Sequence, residues 1–515
     1  VTDPSAPDRP GEEATGTPRP RARGQALWDV ARQSGVYALG NIALKASGLL
    51  IAPLYLNPEL LTVEGFGQFA LLNVTAQLAI FIVGLGLGQG LLKFVTDPDL
   101  AHKREVLPFT TLTATLGAVL VGCGAIAALA EPVTGVLLGP DAPSTLLVLV
   151  AGYVGAKVMG SIPLMLLRAR ERAGWYATAV GLEALVLVGA VYYFLAVLQW
   201  GLWGLMAAYA ASATVGTTVL LVAMLRLVPW SFDRTLVLPL IRFGWPLAVG
   251  ALAAWFLNLG DRYLLSWLVD DATTGLYEWA ARLAGAVNML FVQSFQLAFS
   301  VIGLKALGRG DAAADLHRTI FRHYVALTGW ASLGIALLSY DLTRLLTAEA
   351  TYLEAEPLVL LLALGFMAYG VHFIITNVLY AAGKTGTMGS LVFAAAVLNL
   401  LLNLALIPFI GAIGAALTTY VSYLALALGN AYVAGKTQAV AFPWGRYAGV
   451  VALVVGLYAL GWTVQDASPA LRLSVRLGLI AAFPPLLVLT RFYTWQEVRA
   501  TARLVSGYLR GSPTS

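Results

Sequence analysis

From about residue 34 to residue 490 the apolar run is hardly broken, and no polar interval inside it is long enough for a soluble domain. A helix that crosses a bilayer needs roughly 20 apolar residues. About fourteen such stretches can be placed, at 34–56, 67–94, 108–130, 144–168, 175–198, 202–227, 243–268, 272–303, 323–347, 357–383, 387–410, 411–435, 446–464 and 471–490. They are called spans 1 to 14 below. With 59% hydrophobic and 11% charged residues in a chain of 515, there is too little polar surface to face water, so lipid is the solvent. Strands of a membrane barrel would be about ten residues long and would alternate polar with apolar. Runs such as Ala76 to Leu92 do neither. The expected class is all-α and polytopic, with no catalytic ectodomain and no nucleotide-hydrolysing module.

Basic residues orient the bundle. With the N-terminus taken as cytoplasmic, only Arg344, Arg472 and Arg476 of the 32 Lys and Arg fall in outer loops. Lys45, Lys157, Arg262 and Arg282 lie within spans, and the rest are on the inner side. Cytoplasmic loops carry such an excess, so both termini are expected inside and the number of spans even. The formal charge of +5 is then a topology signal, and nucleic acid is not an expected partner. A lone Cys123 rules out a disulfide framework and a Cys-based metal site. Residues 1–24, rich in Pro, Arg and Thr, read as a disordered cytoplasmic tail without a signal peptide. The stretch Phe492 to Leu509, within the tail 491–515, reads as an amphipathic helix on the inner leaflet.

An internal repeat divides the chain. Gly67-Gln68-Phe69 and Gly275-Leu276-Tyr277 each follow a short outer loop, 208 positions apart. Gly201-Leu202-Trp203-Gly204 and Gly411-Ala412-Ile413-Gly414 open spans 6 and 12 at an offset of 210. Leu167-Arg168-Ala169 corresponds to Tyr380-Ala381-Ala382. The offset joins spans of equal direction, which makes the repeat parallel, with its pseudo-twofold along the membrane normal. Two six-helix lobes are expected, 25–242 and 243–435, with spans 13 and 14 appended over 436–490. Transporters often bind substrate at a repeat interface near the midplane.

The second lobe carries Phe243-Gly244-Trp245-Pro246-Leu247, Asn258-Leu259-Gly260-Asp261-Arg262-Tyr263, Gly275-Leu276-Tyr277 and Ala280-Ala281-Arg282. It continues with Tyr380-Ala381-Ala382-Gly383-Lys384, Asn399, Asn403, Pro408, Gly411 and Thr418-Thr419. The first lobe has Pro53-Leu54-Tyr55, Glu64-Gly65-Phe66-Gly67 and Gly84-Leu85-Gly86. Over about residues 25–490 this pattern resembles the polysaccharide-type flippases of the multidrug/oligosaccharidyl-lipid/polysaccharide superfamily. The resemblance implies two lobes around a central cavity and alternating access without covalent chemistry. The implied cargo is a polyprenyl-pyrophosphate-linked oligosaccharide for the cell surface, carried across a bacterial inner membrane. Arg282 departs from the Lys found in many relatives, with the charge kept.

A charge at mid-bilayer costs about 2.5–3.5 kcal/mol on insertion scales and so faces the protein interior or water. At about 1.5 Å per residue, Lys45 lies about 17 Å into span 1, Arg282 about 15 Å into span 8 and Lys157 about 20 Å from the outer face. These three are expected to line a cationic, diphosphate-binding cavity, with Arg supplying a bidentate fork and Lys a point charge. Asp261 and Arg262, near the outer end of span 7, read as a gating or structural pair. Glu183, Glu278 and His372 are candidates for ion coupling, although Glu278 and Arg282 also have the i,i+4 spacing of an internal ion pair. Gly84, Gly86, Gly88 and Gly90 permit bending or close helix approach.

Enzyme readings fail on the residues. Gly383-Lys384-Thr385 has Val378 where a phosphate loop needs its first glycine. No metal-spaced cluster and no nucleophile elbow is present in the sequence, and no cofactor is expected. Transport remains. The leading reading is the oligosaccharide flippase, working beside glycosyltransferases and a polysaccharide polymerase. A lipid-linked peptidoglycan-precursor flippase and a cation-coupled multidrug exporter of the same superfamily are the alternatives.

Overall fold

The computed structural model describes residues 47–170, 172–296, 311–438 and 441–493. Every regular element among them is helical, the form in which backbone groups satisfy one another without water. Among the described residues, eleven helices are long and apolar enough to cross a bilayer, from Val63–Gly84 (span 2) to Pro469–Leu489 (span 14). One of these, Thr385–Gln438, is spans 11 and 12 together: the helix breaks at Ile410 and Gly411. Gly411 has φ +54°, and a Cβ on Gly414 would lie 2.9 Å from the Leu406 backbone, so the chain folds back on itself there. Span 8 is Asp271–Val287, continued by a π-helical turn at Asn288–Gln293. It is too charged to stand out by hydropathy, because it carries Asp271, Glu278 and Arg282 on a helix that is buried in protein. Span 1 is described only from residue 47. Lys45, the 1–24 tail and the amphipathic stretch beyond Tyr493 lie outside the described residues.

Several spans differ from their expected limits; span 7, expected at 243–268, begins at Val237 and breaks between Leu259 and Asp261. Span 2, expected at 67–94, is two helices, Val63–Gly84 and Leu87–Thr96. Leu85 and Gly86 between them have φ +48° and +64°. Span 9, expected to begin at 323, starts at Asp311 and runs 36 residues to Leu346. At 1.5 Å per residue that is about 54 Å, well beyond a core of about 30 Å, so its first turns project past the hydrocarbon.

The helices start where local chemistry favours them. Thr62 caps span 2 by accepting from the Gly65 amide at 3.1 Å, and Asp270 caps span 8 through the Thr273 amide at 2.6 Å. Such caps satisfy amide donors that a helix start leaves open. The repeat is visible in backbone geometry: Gly201 and Gly411, paired by the sequence offset, both adopt φ +54°. Spans 3 to 6 pack on one another, as do spans 9 to 12, and the two halves meet where span 2 lies against spans 7 and 8.

Glycines make that seam close at both ends. At the start of span 2 a Cβ on Gly67 would overlap the Asp271 carbonyl, and one on Gly275 would overlap the Val63 carbonyl. These two glycines belong to the repeated motif, so the pseudo-twofold brings the motif against its own copy. At the other end Gly86 and Gly244 leave no room for a Cβ on either side. Spans 13 and 14 pack on span 9.

Candidate functional site

A cavity of about 260 Å³ lies at the seam, lined by Asn73 and Gln77 of span 2, Asn258 and Arg262 of span 7, and Glu278, Arg282 and Asn288 of span 8. Asn288 opens the π turn, a distortion frequent at functional sites. Arg282 donates from Nε to Glu278 at 3.0 Å and from Nη1 to the Tyr55 hydroxyl at 3.4 Å. Its guanidinium also sits 5.2 Å from the Tyr55 and Phe66 ring centres and 5.6 Å from that of Phe69. Glu278 is shared, since Arg262 donates to its other oxygen at 3.4 Å. Arg262 also holds Asp261 at 2.7 Å and the Asn258 carbonyl at 3.1 Å. Asp261 accepts from the Tyr277 hydroxyl and from Thr419 at 3.3 Å. Residues of both lobes are thereby tied through one chain of charge-assisted bonds.

This arrangement changes the expected electrostatics. The two arginines are matched by two carboxylates, so the described network is formally neutral, and the i,i+4 pairing of Glu278 with Arg282 is present. Lys157 does not line this cavity. It forms an ion pair with Glu183 within the first lobe and lies 5.8 Å from the Tyr153 ring. Glu183 in turn packs where a Cβ on Gly216 would come within 2.9 Å of it. The expected joining of Lys157 with Arg282 therefore fails, because span 4 has a closer acid on span 5. Asp261 and Arg262, expected apart from the cavity as an outer pair, join Arg282 in one network. The covalent spacing of Arg262 and Glu278 gave no sign of this; the short helix Asp261–Leu268 and the turn after it bring them together.

His372 is buried in span 10, 3.2 Å from Asn430 and stacked beside Tyr369. It borders a separate cavity of about 220 Å³ with Gln296, Thr376 and Asn377. Two motif residues, Tyr277 and Thr419, hold the network although no role was legible for them: both clamp Asp261. Tyr423 donates to Asn258 at 2.6 Å, and Asn403 donates to Asn399 at 3.0 Å in a buried pair within span 11. Arg472 and Arg476, read as outer-loop cations, are instead buried in span 14. They pair with Asp341 of span 9 at 2.6 and 3.2 Å, and Arg476 pairs with Glu356 of span 10 at 3.0 Å.

Beyond the hydrocarbon, at the end of the seam near Gly86, Lys103 holds Asp233 at 2.8 Å and Thr235 at 3.0 Å. Thr110 accepts from the Asp233 amide at 2.9 Å. Hydrogen bonding from Lys103, then from Thr235, draws the Asp233 carboxyl down to about 2.

The family model for polysaccharide biosynthesis proteins matches residues 30–300. The chain belongs to this family. No curated protein sequence matches it. Among solved structures, that of the lipid II flippase MurJ in an inward closed conformation aligns with a TM-score of 0.71 at 12% identity, covering 89% of this chain and 99% of MurJ. The Vibrio cholerae MATE transporter VcmN aligns at 0.54 and 14%, covering 81% and 97%. The MATE multidrug transporter DinF-BH aligns at 0.57 and 15%, covering 80% and 96%. At such identities the likeness establishes the fold alone, a two-lobed helical bundle that this chain shares with those structures. For this member of the polysaccharide biosynthesis family, the site at the seam is thus the junction between the two lobes of that fold.

Proposed function

We propose that the protein flips a polyprenyl-pyrophosphate-linked oligosaccharide from the cytoplasmic to the outer leaflet, for surface polysaccharide synthesis. Arg282 and Arg262 are the headgroup ligands in this reading, and lobes 25–242 and 243–435 rock about the seam. Both termini are cytoplasmic, as the distribution of basic residues favours, and the membrane is the bacterial inner membrane. Glycosyltransferases supply the lipid-linked substrate and a polymerase consumes it. The observation that carries the reading is a pair of arginines facing a cavity between lobes in a chain of the polysaccharide biosynthesis family.

The mechanism is an exchange of ion pairs. At about 260 Å³ the cavity is below the roughly 300 Å³ at which pockets begin to hold drug-sized ligands. A glycan enters only when the lobes part. Parting pulls Arg282 away from Tyr55 of the first lobe, while Glu278 stays with it on the same helix. A diphosphate then competes with Glu278 for two guanidinium forks, and its charge is matched before it leaves water. Closing the other end restores the carboxylate contacts and expels the headgroup. In this reading Lys45 is a secondary cation of the first lobe along the route, and Glu183, Glu278 and His372 are the groups through which an ion gradient is coupled.

Arg282→Ala is expected to abolish surface polysaccharide while the protein stays abundant in the membrane, and Arg282→Lys to retain part of it. Full glycan output from the alanine variant removes Arg282 from the mechanism. The extent of the alignment with MurJ favours one second reading, transport of a lipid-linked peptidoglycan precursor. Rescue of a strain depleted of its own lipid II flippase would move the assignment there, and efflux of cationic dyes would move it to drug export.

A further inference from the structure

Beside its charges, the seam cavity has a second kind of lining. Asn73 and Gln77 of span 2, Asn258 of span 7 and Asn288 of span 8 bring four carboxamides to it. In span 2 the positions that reach the cavity, Ala70, Asn73, Val74 and Gln77, are spaced three and four apart, as one face of a helix presents them. Gln77 is ten residues beyond Gly67 and nine before Gly86, about 15 Å from one closed end of the seam and about 14 Å from the other. An amide at that depth is costly unless something hydrogen-bonds it, because lipid offers no partner.

The four amides are not used alike. Asn258 is committed at both of its groups: it donates to the Ala254 carbonyl at 2.6 Å and accepts from Tyr423 at 2.6 Å. Gln77 donates to Asn73 Oδ1 at 3.3 Å, which leaves the Gln77 carbonyl and the Asn73 amino group without a protein partner among the described residues. Asn288, at the opening of the π turn, makes no side-chain hydrogen bond among them. All three are half-buried. Charge and amide are also separated along the seam. Arg282 is seven residues past Gly275 and Asn288 thirteen, about 10 and about 20 Å from the end where Gly67 meets Gly275. A ligand that touches both carries an anionic group and, next to it, a neutral group rich in donors and acceptors. A carboxamide is donor and acceptor at once. It matches a sugar hydroxyl or acetamido group and gains nothing from an acyl chain.

We propose that Asn73, Gln77 and Asn288 form a sugar subsite, which hydrogen-bonds the sugar attached directly to the diphosphate of the cargo. The inference rests on the reading of Arg262 and Arg282 as headgroup ligands and extends it from the anion to the first residue of the glycan. Asn258, already held by Tyr423, is part of the wall. A site built to bond hydroxyls disfavours a ligand that lacks them, because its own polar groups are then left unpaired. The bare carrier lipid, a polyprenyl pyrophosphate without sugar, is therefore a poor cargo.

The test is a binding titration of the purified full chain in neutral detergent, read by native mass spectrometry. The probes are undecaprenyl pyrophosphate and the same lipid bearing one glucose, galactose, N-acetylglucosamine or N-acetylgalactosamine. Each sugar-bearing probe is expected to bind more tightly than the bare lipid, the best by about tenfold, which one or two neutral hydrogen bonds supply. Asn73→Leu with Asn288→Leu should bring that ratio close to one, whereas Arg282→Ala should weaken every probe and keep the ratio. If the double variant does not accumulate, Gln77→Met, which removes the amide and keeps the length of the side chain, should lower the ratio in the same direction. Equal binding of bare and sugar-bearing lipids, or a ratio that neither amide variant moves, overturns the subsite and leaves the headgroup reading standing. Sodium ions that stabilise the wild type but not the double variant, without any sugar preference, would make the amides a cation site and also overturn it. Failure of every probe to bind, or binding indifferent to Arg282→Ala, ends the headgroup reading and the subsite with it.

Discussion

Glu278 holds two arginines at once, so its chemistry sets the charge of the seam. Glu278→Gln leaves Asp261 to Arg262 and takes the paired carboxylate from Arg282, and removing one partner of a buried pair typically costs about 3–5 kcal/mol. The expected outcome has opposite signs in two assays: a lower unfolding temperature, and tighter binding of a diphosphate headgroup because its competitor is gone. Weaker headgroup binding in that variant would show that the carboxylate positions the arginines instead of competing for them. Asp233 is the residue whose titration bears on the end of the seam outside the hydrocarbon. Its carboxyl is lowered from 3.8 to about 2, so the Lys103 tie is fully present above the unfolded value and is lost as pH falls through the folded one. Acidification to near pH 5 should leave this tie intact, whereas Asp233→Asn should break it at any pH, with faster hydrogen exchange around Lys103 as the readout.

At the scale of elements, the glycine contacts limit how span 2 meets its neighbours. A side chain at Gly67 overlaps the Asp271 carbonyl, and one at Gly244 overlaps the Leu85 carbonyl. Gly67→Val should therefore keep the start of span 2 apart from span 8, and Gly244→Val should keep the opposite end apart. Both variants are expected to insert and accumulate but to stop transport, with cysteine accessibility raised at opposite ends of the seam. The same accessibility pattern from both would show that the two contacts do not alternate. The break at Leu85 and Gly86 matters here, because a left-handed pair redirects Leu87–Thr96 along the start of span 7. Spans 8 and 5 each depart from regular α geometry through a π turn, at Asn288–Gln293 and Tyr192–Val197.

For the whole molecule, spans 13 and 14 are an addition held by charge as well as by packing. Arg476 is fully buried and joins Leu337, Asp341 and Glu356, and Arg472 adds a second bond to Asp341. Arg476→Leu takes the ion-pair partner from the buried Glu356, while Asp341 keeps Arg472, and should destabilise by several kcal/mol, since an uncompensated buried charge costs more than the pair returned. Limited proteolysis is expected to cut first around spans 13 and 14 while the 63–438 core persists. Simultaneous loss of both lobes would mean that the appended spans are part of the core's own cooperative unit.

The pattern of apolar runs, basic loops and repeated glycines was enough to establish an all-helical membrane protein of two similar halves. Each of those features is local: twenty apolar residues must span a bilayer whatever surrounds them, and Gly201 and Gly411 need the same positive φ wherever they sit. The motif Asp261-Arg262 and the position of Arg282 were legible for the same reason, as charges at depth with few affordable explanations. Pairing within a helix, such as Glu278 with Arg282, was legible, but pairing between helices was not, because it depends on which helices become neighbours. Lys157 found Glu183, Arg262 crossed to Glu278, and Arg472 and Arg476 left the expected loop for a buried network. Tertiary packing alone decided that the seam is neutral in its closed form, because carboxylates from adjacent turns and spans reach the arginines first.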